Sequence, residues 1–479
     1  MSLRNKTING VIWSAIQSIG TKIIQLLITI IIARVLMPED YGLVGMLFIF
    51  IALGNVIIDA GFSQALIRKE NVSEIEYSSV FYFNVIMGLF IYIVLYFFAP
   101  LIADFYNEPI LLDISRLSFL IFPISACGVV QYTKLSREIN FKLLAKISLL
   151  ATFISGFLGI VMAYLDQGVW SLVWQSLVFS IIQVALYWWY SKWKPLFVFS
   201  LKPISNLISF SLSLLSTNVL IVVFNNLYTL IIGKVYNVDT VGYYNQAKRF
   251  EEIPTQTLTT IIQKVSFPIL SQLQSDDVKL KSGYRKVINM AVYLNFPLMI
   301  MLIVVAEDLF TVLLGAKWIL AVPYFQLLCL HGVFFPLHSI NVNILKVKNR
   351  GKKLLSLEIV RRLLMIIAIV LTLPLGVYWL LVGHVIASLI SIIINMYYCG
   401  KEISFSLIQQ FKDVLPTLIL SIVCGLIVYT VHFLNIEVSV YIKLIFQIAS
   451  GAFLYLMFSI FFKIESYREL IKIVKSKIK

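Results

Sequence analysis

The chain has 479 residues, 60% of them hydrophobic and 13% charged, with a formal net charge of +15 and a mean hydropathy of +0.91. A soluble globular chain carries about a quarter charged residues, so this composition excludes one and implies an integral membrane protein. Apolar runs long enough to cross the roughly 30 Å hydrocarbon layer recur along the chain without the alternation of a barrel, so helices satisfy the backbone.

Cut at its polar breaks, the sequence predicts about fourteen helical spans: 11–33, 41–60, 79–102, 111–133, 142–164, 169–190, 205–232, 241–268, 285–308, 319–345, 354–374, 377–399, 414–434 and 439–462. The opening MSLRNKTING is basic, and the apolar run behind it is too long for a signal peptide and has no small-residue cleavage site. It reads as a retained first span with a cytoplasmic N-terminus. About 28 of the 39 basic residues then fall on that side, in loops such as KLSREINFKLLAK and KVKNRGKK, as the enrichment of cytoplasmic loops in Lys and Arg requires. Charge scattered over short loops is a topology signal, and nucleic acid is not an expected partner.

Span 1 carries Lys22 near its middle, too deep to snorkel easily, among Gln17, Ser18, Thr21, Gln25 and Thr29. A charge at that depth costs about 2.5–3.5 kcal/mol and normally faces protein or a wet cavity. Lys22 and Gln25 are therefore candidates for a cavity lining, with a structural ion pair as the other reading of Lys22. The corner that follows, IIARVLMPEDYGLVG at 31–45, recurs as IIGKVYNVDTVGYYN at 231–245. Asp59 closes span 2 at the inner side in DAGFSQALIR, where capping, pairing with Arg68, or a coupling or gating role are all open. Arg116, beside Asp113, and Lys443 lie near span rims and read as structural.

Similar turn chemistry alone would explain the two corners, yet the likeness continues. KLL at 142–144 recurs at 353–355, Gly168-Val169-Trp170 is answered by Gly376-Val377-Tyr378, and Gln25 and Thr29 match Asn225 and Thr229. Together these predict two six-helix lobes in a parallel pseudo-twofold repeat, spans 1–6 in 1–200 and spans 7–12 in 201–400, with a cleft between them. Residues 401–479 hold two accessory spans and a basic tail, IESYRELIKIVKSKIK. Its Ile464, Tyr467, Ile471 and Val474 fall on one side, as in an amphipathic helix on the anionic inner leaflet.

The second lobe carries most of the intramembrane charge. Span 8, YYNQAKRFEEIPTQTLTTIIQKV, is too polar to face lipid along its first half. Lys248 reaches Glu251 and Glu252, and Arg249 reaches Glu252, by helical spacing; Pro254 would bend the helix. Spans 7 and 8, with Asn225 among the amides of span 7, read as a cavity wall, a re-entrant segment over 243–260 being the competing view. Arg361 and Arg362 lie about two turns into span 11, within reach of Glu358, and either contact substrate phosphate or snorkel to headgroups. His331 and His338 share a face of span 10 without an evident third ligand, so no metal is expected. Cys127, Cys329, Cys399 and Cys424 sit in apolar spans as small hydrophobes. No phosphate-cradling, serine-hydrolase or zinc-protease motif occurs.

ARVLMPEDYGLVG after span 1, the inner DAGFSQALIRKE, the second corner IIGKVYNVDTVGYYNQA and LLGAKWILAVPYFQLLCL after span 9 together resemble bacterial polysaccharide exporters of the Wzx type, within the MATE-like multidrug/oligosaccharidyl-lipid/polysaccharide flippases. The resemblance covers nearly the whole chain. It implies a non-enzymatic flippase in the bacterial cytoplasmic (inner) membrane, both termini cytoplasmic. Such a protein moves an undecaprenyl-diphosphate-linked oligosaccharide from the cytoplasmic to the periplasmic leaflet by alternating access, for O-antigen, capsule or exopolysaccharide synthesis. It also implies a cationic central cavity, for which Lys22, Lys248, Arg249, Arg361 and Arg362 are the residues at hand; Glu251 and Glu252 depart from a purely cationic lining and are candidates for coupling or gating. Expected partners are the lipid-linked oligosaccharide, membrane lipids, and polysaccharide polymerase and chain-length machinery. No cofactor is expected, H+ or Na+ being the candidate coupling ions. A cation-coupled multidrug antiporter of the same fold is the alternative; a membrane glycan polymerase or ligase is more distant, because the outer loops are short.

Overall fold

The computed structural model describes residues 3–433 and 439–478. The described residues form nineteen α-helices and three short 3₁₀ turns, with no strand among them. They group into two compact units, Met1–Asn245 and Gln246–Lys479.

The first unit holds α1 (Leu3–Val35), α2 (Pro38–Asp59), α3 (Phe62–Arg68), α4 (Glu74–Tyr106), α5 (Leu111–Ser118), α6 (Ile121–Ala126), α7 (Val129–Arg137), α8 (Phe141–Tyr164), α9 (Trp170–Ser191) and α10 (Leu201–Val235). The unit boundary falls within α11 (Val238–Gln272). In the second unit α12 (Asp277–Val304), α13 (Ala306–Leu313), α14 (Val322–Val347), α15 (Gly351–Thr372) and α16 (Val377–Glu402) precede α17 (Leu407–Tyr429), α18 (Val440–Phe461) and α19 (Glu465–Ile478).

Among the described residues eleven helices are long and apolar enough to cross a membrane, or twelve if the bent pair Leu111–Ala126 and Val129–Arg137, turned by 43°, is one span. The chain is an all-helical, multi-pass membrane protein, and by this measure the described residues give eleven or twelve spans against the expected fourteen. The shortfall has a physical cause: α11 and α15 are long enough, but Lys248, Arg249, Glu251 and Glu252 in one and Glu358, Arg361 and Arg362 in the other make them too polar to qualify. Helix α11 runs unbroken through Pro254 and Pro268, so 243–260 is helix and not a re-entrant loop.

Both repeated corners fold alike. Helix α1 ends at Val35 and α2 begins at Pro38; α10 ends at Val235 and α11 begins at Val238. Each corner is also the other's packing partner. A Cβ added at Gly42 would lie 2.0 Å from the carbonyl oxygen of Val238, and one added at Gly242 would lie 2.0 Å from that of Pro38. One turn further on, the Asn245 amide occupies the space that a side chain at Gly45 would need, at 1.9 Å, while its Oδ1 accepts from Thr229 Oγ1 at 3.2 Å. Small residues permit such backbone approach where lipid supplies no hydrophobic drive. The same device joins α1 to α8, where Ile28 fills the place of a side chain at Gly156 and Gln17 donates to the Ser148 hydroxyl at 2.8 Å.

Near these corners, between α4 and α5, stands Glu108. Burial, then the charges of Glu39 and Asp239, push its carboxyl above the ordinary carboxylate range. The folded state therefore holds its proton to higher pH than the unfolded chain, and stability falls as pH rises through that window. Glu108→Gln is expected to remove this loss, raising the melting temperature at neutral pH and not at pH values below the ordinary carboxylate range. The gain is under about 1 kcal/mol for so accessible a group, and thermal unfolding in detergent at two pH values measures it.

In the second unit, buried polar groups are matched to backbone that proline leaves open. Pro336 in α14 has no N–H for the Gly332 carbonyl, and Asn295 of α12 donates to that oxygen at 3.0 Å and to Val333 O at 2.8 Å. Lys443 of α18 pairs with Asp308 of α13 at 3.2 Å, and Gln447 donates to the same carboxylate at 2.9 Å, as expected for a structural lysine at a rim. Asp308→Ala is expected to cost about 3 kcal/mol, because it strands a largely buried ammonium; a urea or thermal midpoint unchanged from the parent would contradict that role. Ile464, just before the tail helix α19, and Tyr467 and Leu470 on it pack against Tyr293, Leu420 and Tyr455, and Glu469 pairs with Lys286 at 3.5 Å. Part of its apolar face is thus covered by protein. The Val474 side chain lies outside the described residues.

Candidate functional site

The predicted site residues fall into both units. In the first, Lys22 is partly buried on α1 and Gln25 is exposed one turn on; Gln25 O accepts from Thr29 Oγ1 at 2.7 Å. Asn225 is exposed on α10, at the position that matches Gln25. Asp59 ends α2, and its Oδ1 accepts from the Ser63 N–H at 3.1 Å and from the Ser63 hydroxyl. Thr133 of α7 reaches that hydroxyl at 3.0 Å. Between them Ala60 and Gly61 take left-handed backbone, φ 44° and 79°, so Asp59 fastens the sharp turn from α2 into α3.

The second unit assembles a denser cluster from four helices. Histidines 331 and 338 and Phe335 line one face of α14, since they follow at helical spacing. Three turns separate His384 from Asn395 on α16, and Glu358, Arg361 and Arg362 share a face of α15. Arg361 Nη1 donates to His338 Nε2 at 2.7 Å, and Arg361 Nη2 is 3.3 Å from Glu358 Oε2. That oxygen also faces Arg362 Nε at 3.9 Å. The Asn395 amide is 2.7 Å from His338 Nδ1. The atom placed there is Asn395 Nδ2; but a guanidinium only donates, so Nε2 must hold a lone pair and Nδ1 then carries the proton, and the Asn395 amide is assigned the flipped orientation in which its oxygen accepts that proton. The His331 and His384 rings meet at a tilt, with centroids 4.7 Å apart and planes inclined at 42°.

Helix α11 completes the cluster. Lys248 Nζ is 3.9 Å from Glu252 Oε1, one helical turn away, and its charge reaches His384 on α16. Glu251 is buried, accepts from Thr255 Oγ1 at 2.6 Å, and lies against Gly332, where an added Cβ would stand 2.7 Å from its Oε1. Arg249 is exposed. The balance decides what the site can do: Lys248 and Glu252 offset one another, whereas Arg361 and Arg362 share the single carboxylate Glu358. The α15 arm therefore sets two guanidiniums, with their planar forks of N–H donors, around one carboxylate among apolar helices. That suits an anion with several oxygens, above all a phosphate.

Sequence reasoning named Arg361, Arg362 and Glu358 but missed His384 and Asn395. Their shared face on α16 was available as a signal; their approach to α14 was not. Among the described residues no group of three or more His, Cys, Asp or Glu could hold a metal ion, and the four cysteines are unpaired.

Comparison with known proteins gives a family match over residues 31–323, to a model described as "Polysaccharide biosynthesis protein". The teichuronic acid biosynthesis protein TuaB of Bacillus subtilis (strain 168) is 25% identical over 467 residues, 95% of each chain. The lipopolysaccharide biosynthesis protein WzxC of Escherichia coli (strain K12) is 25% identical over 441 residues, 89% of each. Among solved structures, the lipid II flippase MurJ in its inward closed conformation superposes with a TM-score of 0.72 at 20% identity, over 96% of this chain and 100% of that one; a likeness at that identity concerns the fold.

Proposed function

Since the chain belongs to the polysaccharide biosynthesis protein family, we propose that it is a Wzx-type flippase for a lipid-linked oligosaccharide, carrying an undecaprenyl-diphosphate-linked repeat unit from the cytoplasmic to the periplasmic leaflet of the inner membrane. The observation that carries this reading is the pair of guanidiniums on α15, Arg361 and Arg362, both set against Glu358. A lipid diphosphate needs that charge desolvated and held; a glycan needs the hydroxyls and amides that accompany it; the prenyl chain can stay in the bilayer. Lys22, Gln25 and Asn225 in the first unit, and Lys248 and Arg249 in the second, are further candidates for lining its route. Glu251, buried and hydrogen-bonded to Thr255, and Asp59 are the candidates for coupling or gating, with H+ or Na+ as the ion.

An antiporter that expels cationic drugs is not favoured by the family or by the names of its relatives. A glycan polymerase or ligase is disfavoured on the same grounds, and the protein acts without chemistry on its substrate. Partners downstream would be the polymerase and chain-length machinery that receive the flipped unit. The test is complementation of a bacterial strain lacking its own exporter of this class, with surface polysaccharide and accumulated lipid-linked intermediate measured together. The expected result is restored polysaccharide and cleared intermediate, with drug tolerance unchanged. Drug tolerance gained without polysaccharide would reverse the assignment.

A further inference from the structure

Three of the chain's four histidines lie in this one cluster, and phosphate binding by Arg361 and Arg362 does not by itself require them. His338 is the informative one. While Arg361 donates to its Nε2 at 2.7 Å, that nitrogen cannot also carry a proton. The groups that face the ring are Arg361, Arg362 and Glu358 from α15, His331 from its own helix and Asn395 from α16; His384, and Lys248 on α11 beyond it, lie past His331. All but Glu358 and Asn395 are cations or imidazoles.

Glu358 supplies the other half of the arrangement. Its Oε1 stands 3.9 Å from His338 Nε2 while its Oε2 faces both arginines. An anion that draws the Arg361 guanidinium toward itself removes the donor from Nε2 and a cation from Glu358 in one movement. A proton taken from water onto Nε2 then fills both places: one N–H bond forms, the guanidinium stays protonated, and an imidazolium–carboxylate pair replaces the arginine–carboxylate pair. We infer that His338 is a proton-binding site that fills when a diphosphate engages Arg361, so that substrate binding takes up a proton. The added charge offsets part of the diphosphate's charge inside a low-dielectric interior, where uncompensated charge is costly. Linkage is reciprocal, so affinity should rise about tenfold per unit fall in pH wherever uptake is complete.

This rests on the reading of Arg361 as a diphosphate contact, and the test separates the two. Full-length protein in lipid nanodiscs is titrated with farnesyl-diphospho-N-acetylglucosamine, a diester whose phosphates exchange no proton near neutral pH. Calorimetry in buffers of different ionisation enthalpy gives the protons taken up. The expected value is about one per molecule bound, lost in His338→Gln, whose amide oxygen can still accept from Arg361. Asn395→Asp, which sets a carboxylate against Nδ1–H, should move the uptake about one pH unit higher. It serves as the deciding variant if His338→Gln does not fold. Binding without uptake, uptake retained in His338→Gln, or an unmoved profile in Asn395→Asp overturns the inference and leaves the site reading standing. No binding by the parent protein overturns both.

Discussion

Arg361→Ala is expected to lower the export of lipid-linked oligosaccharide about 10- to 100-fold, the effect of losing one charge-assisted contact of about 1.5–3 kcal/mol to a phosphate. The amount of folded protein should stay close to that of the parent. That second half follows from the local charge balance: Glu358 faces Arg362 at 3.9 Å as well as Arg361 at 3.3 Å, so removal of Arg361 leaves no buried carboxylate without a cation. Arg361→Lys should recover part of the activity, since it restores charge but not the planar fork that meets two phosphate oxygens at once. Arg361→Gln should recover less than lysine does. Complementation with immunoblotting of the membrane fraction reads both quantities. Export at the parent level from a normally abundant Arg361→Ala protein would remove α15 from the site, and equal recovery by Lys and Gln would remove charge as its reason.

Much of this site is legible from sequence because membrane helices make polarity conspicuous. Arg361, Arg362 and the Lys248–Glu252 stretch stand out since a lipid-facing helix would not carry them. The same property makes a test of apolar length alone pass over α11 and α15, helices of full length whose polar and charged residues lower their hydropathy. Partner identity is a different matter. Spacing puts His331 and His338 on one face, and Glu358 beside Arg361, but nothing in the chain says that α16 brings His384 to 4.7 Å from His331 or Asn395 to His338. Asp59 shows the limit from the other direction. A carboxylate at the end of a span leaves capping, pairing with Arg68 and gating all open, and only the structure shows it accepting from Ser63 across the turn through Ala60 and Gly61. The repeated corner is legible as a repeat, since Val35 and Val235 end helices for the same local reasons. That the two copies pack on each other is a tertiary fact, visible only once Gly42 is found against Val238 and Gly242 against Pro38.

That reciprocal contact carries the largest expected effect on stability. Gly42→Ala places a methyl group 2.0 Å from the Val238 carbonyl oxygen, and Gly242→Ala places one 2.0 Å from that of Pro38. Neither obstacle is a side chain that can rotate away, so the first turns of α2 and α11 must part. Overpacking of this kind costs roughly 1–3 kcal/mol, and backbone displacement puts it toward the upper end. Each single variant should therefore melt well below the parent in detergent. Both clashes are relieved by the same separation, so the double variant should cost clearly less than the sum of the two, a coupling of about 0.5–3 kcal/mol in the mutant cycle. Gly351→Ala is the control, because no heavy atom lies within 4 Å of its added Cβ, and it should melt with the parent. Additive losses would mean that the two glycines solve separate packing problems, and the pseudo-symmetric corner would then be two similar turns and not one joint.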